Sequence, residues 1–537
     1  MNPPRTPQAP QARMVTALAA VGHLIETHIS YVVLTGTRAY KIKKAIRLPF
    51  LDFTSLEARR KYCEQELLLN RRLAPSIYLD VVPVTGTVDD PELNGTGPIL
   101  DYAVRMREFP QSALLSSTLG RRELTPAHVD ALARRVANFH LGIPAAAADS
   151  PYGDPDDLLR LALDNFDEIR SSTRGALERG EVAELERWTR RQHAALRRIL
   201  ECRRESGFVR EGHGDLHLGN MALVDDSITI FDCIDFNDRL RWIDVMNDAA
   251  FTVMDLVDRR RPDFANRFLN EYLEVTGDHG GLPLLPFYLV YRAMVRAKVA
   301  CERAMQLPAG AARGQVLDEY RDHLQLAAGF ASARRPGLIL MHGYSGSGKT
   351  TLARALRERL GAIHLRSDIE RKRLHGLRSG ARTESAIENG PYSAASTRAT
   401  YERLLDLALQ VTAAGLVALV DAAFLQRWQR DLFRQRAAQE HLRICIVSVR
   451  VPEPTLRARV AQRSLRQDDA SEANVDVLAH QLRTADPIGT EEAANVVVHD
   501  GCTDCADSRL TELSQTLSER LFLGGASIFA RSDGGVG

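Results

Sequence analysis

The chain has 537 residues, more than one hydrophobic core organises, so two large domains are expected. Its 70 Lys and Arg against 69 Asp and Glu leave a formal charge of +1, which excludes a molecule built as a whole to hold nucleic acid or an anionic membrane and leaves room for a local basic groove. No run of about 18 apolar residues occurs. The Pro-, Gln- and Ala-rich start lacks an apolar signal core and the seven cysteines are scattered, so a cytoplasmic protein in a reducing compartment is expected, with the lone CxxC, Cys502 and Cys505, read as free thiols in a loop rather than a zinc site.

In chain order, residues 1–20 read as a flexible N-terminus, with a short amphipathic helix over 14–23. Strands over 31–34 and 38–43 surround the turn Thr35-Gly36-Thr37. Lys41 and Lys43 are two apart and so share one face of the second strand; alone, such a pair reads as solvated surface, but its neighbours favour a charged site. A helix over 56–73 carries Glu57, Glu64 and Glu66 and ends at Ala74-Pro75. Strands over 78–85 and 99–107 follow, the last leaving through Arg105 to Pro110 as a connector. A strand lysine, a helix glutamate and a strand running into a linker are the parts of a protein-kinase-type small lobe. Helical patterns over 125–141 and 155–202 predict a large lobe with mostly solvated charged faces.

His213-Gly214-Asp215-Leu216-His217-Leu218-Gly219-Asn220 keeps the Asp-Leu-x-x-x-Asn spacing of a kinase catalytic loop, with Gly where Arg usually follows the histidine. Phosphoryl transfer needs one carboxylate to accept the hydroxyl proton and an amide oxygen five residues on to hold a metal at the phosphates, and Asp215 and Asn220 fit those roles. Two other readings stay open: His213 and His217 as an HxxxH zinc pair, or a polar turn without chemistry. A strand over 228–231 leads into Asp232-Cys233-Ile234-Asp235-Phe236-Asn237, where a second metal ligand is expected. Asp232 fits the spacing from Asn220 and Asp235 fits the local Ile-Asp-Phe pattern, so both are candidates.

With Ile243-Asp244-Val245-Met246-Asn247-Asp248-Ala249-Ala250 added, these motifs make residues 21–330 resemble the aminoglycoside phosphotransferase and choline kinase-like superfamily, an offshoot of the protein-kinase fold. The resemblance implies that Lys41 or Lys43 pairs with Glu66 and holds the inner phosphates, and that Asp248 braces the catalytic loop. The chain departs from it in lacking a GxGxxG loop, with only Gly36 in the turn. Near the end of this segment a helix over 286–305 sets Arg292, Arg296, Lys298 and Arg303 beside apolar residues, a basic face read as solvated, or else as an anion-binding wall or domain interface.

Residues 331–336 read as a linker, closed by Pro336 before an apolar strand over 338–341. Gly343-Tyr344-Ser345-Gly346-Ser347-Gly348-Lys349-Thr350, followed by Thr351 and a helical pattern to Leu360, is a complete phosphate-binding loop between strand and helix. Its glycines let successive N–H groups curl round an anion, Lys349 adds charge for the outer phosphates, and the Thr350 hydroxyl is the expected Mg²⁺ ligand. A strand over 362–365 ends near Asp368, placed to act on a hydroxyl or merely to cap a helix. Another over 416–420 closes in Asp421, the position of an acid that orients Mg²⁺. Arg459 and Arg463 share a helical face beside Asp468 to Ala473 and read as lid arginines for the transferred phosphoryl, or as plain surface.

Residues 337–523 resemble the small P-loop kinases that include polynucleotide 5'-kinases, gluconate kinase and zeta-type toxins. By that resemblance Asp368 is the general base and Arg371 holds a substrate phosphate. Residues 524–537 read as a loose tail. The expected fold class is α/β plus α+β: a two-lobed kinase-like domain, then a parallel sheet with helices on both faces. The expected activity is a bifunctional phosphotransferase using ATP and Mg²⁺ on hydroxyls of a small molecule, a sugar or related metabolite among the candidates. The alternatives are a P-loop kinase regulated by a non-catalytic kinase-like domain, and a polynucleotide 5'-hydroxyl kinase. The acceptor and oligomeric state stay open.

Overall fold

The alternating strands at the start of the chain pair as expected: Ser30–Leu34 runs antiparallel to Arg38–Lys43, which pairs in turn with Ile99–Arg107. In this computed structural model, which describes residues 10–48, 51–173, 178–332, 336–377, 393–466, 475–502 and 507–521, the chain forms two compact units. The first comprises Met1–Leu132, Gly142–Asp154 and Arg204–Thr252, and the second Ala133–Leu141, Pro155–Arg203 and Val253–Gly537.

The first unit holds a six-stranded antiparallel sheet in the order His23–Glu26, Ser30–Leu34, Arg38–Lys43, Ile99–Arg107, Tyr78–Gly86, Pro91–Leu93. One face buries Val33, Ile42, Val82 and Val84 under Met14, Val15 and Leu18 of the helix Pro10–Leu18. The expectation of a loose start through residue 20 is therefore corrected from Pro10 onward. Three apolar residues on one helical face find a sheet to cover, and Gln11 fixes the start by donating to Lys43 O (2.9 Å) and Asp101 (2.7 Å). The opposite face packs on the helix Leu56–Asn70, whose Ser55 caps the Ala58 N–H.

The helix expected over 14–23 stops at Leu18, and His23–Glu26 is an edge strand too short and too polar to announce itself. Its turn into the next strand is Thr27-His28-Ile29, without glycine. The Gly36 turn belongs to the second hairpin, where Gly36 N–H donates to Glu108 Oε2 (2.8 Å) and Glu108 N–H to Thr37 O (3.2 Å), tying it to the connector.

In the second unit the pattern over 155–202 resolves into the helices Pro155–Thr173 and Arg179–Glu205. The expected basic face over 286–305 lies on the helix Leu285–Gln306, packed between Pro155–Thr173 and Ala311–Ala331. The solvated reading holds at its far end, where exposed Arg303 pairs with Glu319, and fails at its start, where Arg292 is buried over the Tyr291 ring; between them half-buried Lys298 pairs with Glu168 at 3.1 Å.

The same unit contains a five-stranded parallel sheet, ordered Ala362–Arg366, Val417–Asp421, Gly337–His342, Arg443–Arg450, Val496–Asp500. Helices Lys349–Leu360 and Asp507–Arg520 cover one face through Leu352, Leu356, Leu513 and Leu517, and Ala394–Ala413 and Arg427–Gln439 pack against the strands as well. This is the predicted α/β arrangement. Residues 333–335 of the expected linker and the tail from 522 lie outside the described residues. Among the described residues no helix is long and apolar enough to cross a membrane.

Candidate active sites

Strand alternation turns Lys41 and Lys43 to one face, and the helix Leu56–Asn70 brings Glu66 against them. Each lysine takes one oxygen of that carboxylate, Lys41 at 2.8 Å and Lys43 at 2.7 Å. Lys41 also meets Asp232 at 2.5 Å, and Lys43 meets Asp235. Burial opposes the Lys41 charge, but Asp232 and Glu66 outweigh it and hold the ammonium well above its ordinary pKa. Burial also opposes the Glu66 charge, and the two lysines overcome it, drawing that carboxyl down to about 2. Asp235 is buried, which raises its carboxyl against the pull of Lys43, whereas the Asp232 side chain is 47% exposed.

The hairpin of Met221–Val224 and Ser227–Ile230 joins this cluster to the catalytic-type loop, with Phe231 N–H on Asn220 O and Ile234 N–H on His213 O. Asn220 Nδ2 donates to Asp215 Oδ2 (2.8 Å) and to the Asp215 carbonyl (3.0 Å), and His217 Nε2 lies 3.3 Å from the same Oδ2. Asp248, fully buried, accepts from the N–H groups of His213 (2.7 Å) and Gly214 (3.0 Å). Gly214 has φ +84°, and a Cβ there would meet Leu240 O at 2.6 Å. The HxxxH zinc reading is overturned. His213 is bonded to Phe231 O through Nε2 and faces the Asp215 N–H through Nδ1, burial holds it neutral, and His217 Nδ1 accepts from Gly219. Among the described residues no group of three side chains could hold a metal through His, Cys, Asp and Glu alone.

In the second unit the phosphate-type loop leaves the strand Gly337–His342 and enters the helix Lys349–Leu360. Gly343, Gly346 and Gly348 have φ of +147°, +84° and +90°, and Cβ atoms on Gly343 and Gly346 would meet Val449 O at 2.8 Å and Val460 Cγ2 at 2.9 Å. Lys349 Nζ donates to Tyr344 O (2.9 Å), Ser345 N–H to Gln481 Oε1 (2.9 Å), and buried Ser347 Oγ has no hydrogen-bond partner among the described residues.

Gly348, Lys349, Thr350 and Thr351 line a cavity of about 320 Å³ together with Asp368 and Arg371. Asp368 sits in the first turn of the helix Ser367–Leu374, whose cap position is Arg366, so Asp368 is not the N-cap. Asp421 reaches the cavity from the strand Val417–Asp421. Burial opposes its charge, but His364 Nε2 at 3.2 Å, Lys349 and the Thr350 hydroxyl hold its carboxyl below the ordinary value. Arg459 lines the cavity and donates to Gly501 O (2.9 Å). The Arg463 side chain, Asp468 to Ala473 and Cys505 lie outside the described residues.

The sequence profile of the phosphotransferase enzyme family matches residues 46–285, and an AAA domain profile matches 338–488. An uncharacterised protein of Mycobacterium tuberculosis strain H37Rv is 30% identical over 471 residues, 86% of this chain and 92% of the relative, and a protein of Mycobacterium bovis matches to the same extent. The chain belongs to one family with these mycobacterial proteins, and its residues 46–285 are a phosphotransferase enzyme family domain. In this phosphotransferase an AAA domain follows the family segment, and the whole is an ATP-dependent kinase. Solved structures similar to parts of it include the amicoumacin kinase hAmiN in complex with AMP-PNP, Ca²⁺ and Ami (16% identity, TM-score 0.37, 58% of this chain and 94% of that one). A gluconokinase of Sinorhizobium meliloti 1021 is another (23% identity, TM-score 0.23, 35% of this chain and 98% of that one).

Sequence reasoning passed over His364, Gln481 and Tyr401 of the phosphotransferase's second site. A histidine between Ile363 and Leu365 in a buried strand was the available signal; Gln481 gave none, because only the fold brings it to Ser345.

Proposed function

We propose that the chain is a bifunctional phosphotransferase in which residues 21–330 and 337–523 each pass the γ-phosphoryl of ATP to a hydroxyl of a small molecule. The observation that carries this reading is a cavity in the second unit lined both by the phosphate-binding loop and by a carboxylate with an arginine, Asp368 and Arg371. The cradle suits a polyphosphate, since its glycines adopt conformations closed to side chains and Ser347 Oγ is buried without a partner among the described residues. Thr350 and Asp421 offer adjacent hard oxygens, a donor set that suits Mg²⁺, and in the first unit Asn220 with Asp232 or Asp235 supplies the oxygens for that role. Mg²⁺, when bound, neutralises phosphate charge.

In this reading Asp368 takes the proton of the acceptor hydroxyl while that oxygen bonds to the γ-phosphorus and the bond to the β-phosphate oxygen breaks, releasing ADP. Arg371 holds an anionic part of the acceptor, and Lys349 and Arg459 neutralise charge on the transferred group, a role the sequence also gives Arg463. Asp215 takes the equivalent proton in the first unit, where Lys41 or Lys43, held by Glu66, grips the nucleotide phosphates. A second reading rests on the short Thr27-His28-Ile29 turn, which offers no glycine loop to cover phosphates: the first segment binds a ligand without catalysis and regulates the second.

A metabolite pool treated with Mg-ATP and analysed by mass spectrometry separates the two. Under bifunctional action, Asp215→Ala and Lys349→Ala each abolish a different phosphorylated product. If Asp215→Ala leaves every product in place while Lys349→Ala removes all of them, the regulatory reading stands.

A further inference from the structure

The strand Ala362–Arg366 is the edge of the parallel sheet, so among the described residues its outer N–H and C=O groups have no neighbouring strand. The helix Pro262–Thr276 supplies the missing partner. Asn270, buried, donates through Nδ2 to Ala362 O (3.0 Å) and accepts through Oδ1 from His364 N–H (2.7 Å). Those are the two bonds that the N–H and C=O of one residue of a further parallel strand would make about Ile363. Asn266 repeats the donation to Ala362 O at 3.0 Å and accepts from Asn270 Nδ2 at 3.1 Å. Ion pairs flank the asparagines on both sides: Arg267 with Glu358 (2.9 Å), Glu271 with Arg357 (3.0 Å) and Glu274 with Arg366 (3.3 Å).

The strand residue so fixed at its backbone is His364, whose side chain is 1% exposed and whose Nε2 lies 3.2 Å from Asp421 Oδ2. Its Nδ1 is buried with no hydrogen-bond partner among the described residues. An imidazolium would bury a second N–H donor there without an acceptor, so the ring is neutral, carries its proton on Nε2 and donates it to Asp421. That bond occupies one oxygen of Asp421 and leaves the carboxylate oriented toward Thr350 and Lys349, whose influence it feels. A polar ring in a buried strand position between Ile363 and Leu365 serves packing poorly, and the geometry gives it this use instead.

We propose that His364, anchored through its backbone by Asn270, is a positioning residue for Asp421, so that a helix far upstream in the chain presets the P-loop site for its divalent cation. The proposal rests on the reading of that site as a Mg-nucleotide site. Partners of this kind, one step removed from the metal, typically set metal affinity by about 10- to 100-fold.

The test is binding of ADP to the full-length protein by calorimetry, in EDTA and in Mg²⁺, for wild type, His364→Leu, His364→Gln and Asn270→Ala, reading only the component of binding that Lys349→Ala removes. The expected result is that the leucine variant keeps its metal-free affinity and loses about tenfold of the gain that Mg²⁺ confers. Glutamine, whose amide nitrogen reaches as far as Nε2, restores that gain, and Asn270→Ala falls between. A leucine variant with the wild-type Mg²⁺ gain overturns the proposal, as does a glutamine variant as impaired as the leucine one. If the leucine variant does not fold, His364→Asn, polar but too short to reach Asp421, takes its place with the same two outcomes. Wild type that binds ADP in neither condition overturns the Mg-nucleotide reading itself, and the proposal with it.

Discussion

Asp248 shows how one side chain can set a loop. It is fully buried, and the two N–H groups it accepts belong to His213 and Gly214, the residues just before Asp215. A Cβ on Gly212 would lie 2.5 Å from its Oδ2, so the backbone is drawn tightly round the carboxylate. Asp248→Ala removes the carboxylate acceptor of both buried N–H groups, at about 1–3 kcal/mol each. We predict a stability loss of roughly 2–6 kcal/mol in urea titrations, and loss of the Asp215-dependent product while the Lys349-dependent one persists. Persistence of both products at wild-type rates would show that the loop does not need this brace.

Among the elements, the helix Arg427–Gln439 is held by an ion pair with no exposed atoms, Arg430 to Glu492, made through two guanidinium nitrogens at 2.8 and 3.1 Å. Arg430 also donates to the carbonyls of Phe424, Leu425 and Pro487, so its charge is fully engaged. Removing one partner of such a pair strands the other. Arg430→Ala is expected to cost about 3–5 kcal/mol in thermal denaturation, and Arg430→Met with Glu492→Leu to recover part of it; a double variant worse than the single one would contradict this account. The helix Pro10–Leu18 gives a milder case. Deleting residues 1–18 uncovers Val33, Ile42 and Val84 and is expected to lower the melting temperature, measured on the otherwise intact chain. Strands such as Ile99–Arg107 were legible because their alternation is local, and they matched residue for residue. The edge strand His23–Glu26 and the helix Pro262–Thr276 were not, since the first has too few residues to show a period and the second is defined by the strand it covers.

At the scale of the whole molecule, acid should act through histidines buried neutral. Burial, with Arg373 nearby, lowers His279 to about 3, and burial, with Arg430 nearby, lowers His342 to about 4. In the unfolded chain both take a proton near pH 6.5. The unfolded state therefore binds more protons below that value, so stability is complete above about pH 6.5 and is lost as pH falls toward about 4 and about 3. Each histidine contributes up to about 1.4 kcal/mol per pH unit within its window. Denaturant midpoints at pH 7 and pH 5 check this, and equal midpoints would refute it.

The sequence alone determined the chemistry of the two motifs, because a phosphate loop and an Asp-Leu-x-x-x-Asn loop place their groups through local backbone geometry. It also determined that Lys41 and Lys43 share a face, which follows from the two-residue period of a strand. Only the tertiary structure decided that both lysines meet Glu66, that Asp232 and Asp235 each take one of them, and that His364 stands on Asp421. Those pairings join residues as far apart as 192 positions in the chain, and such contacts depend on packing and burial, which no local pattern encodes.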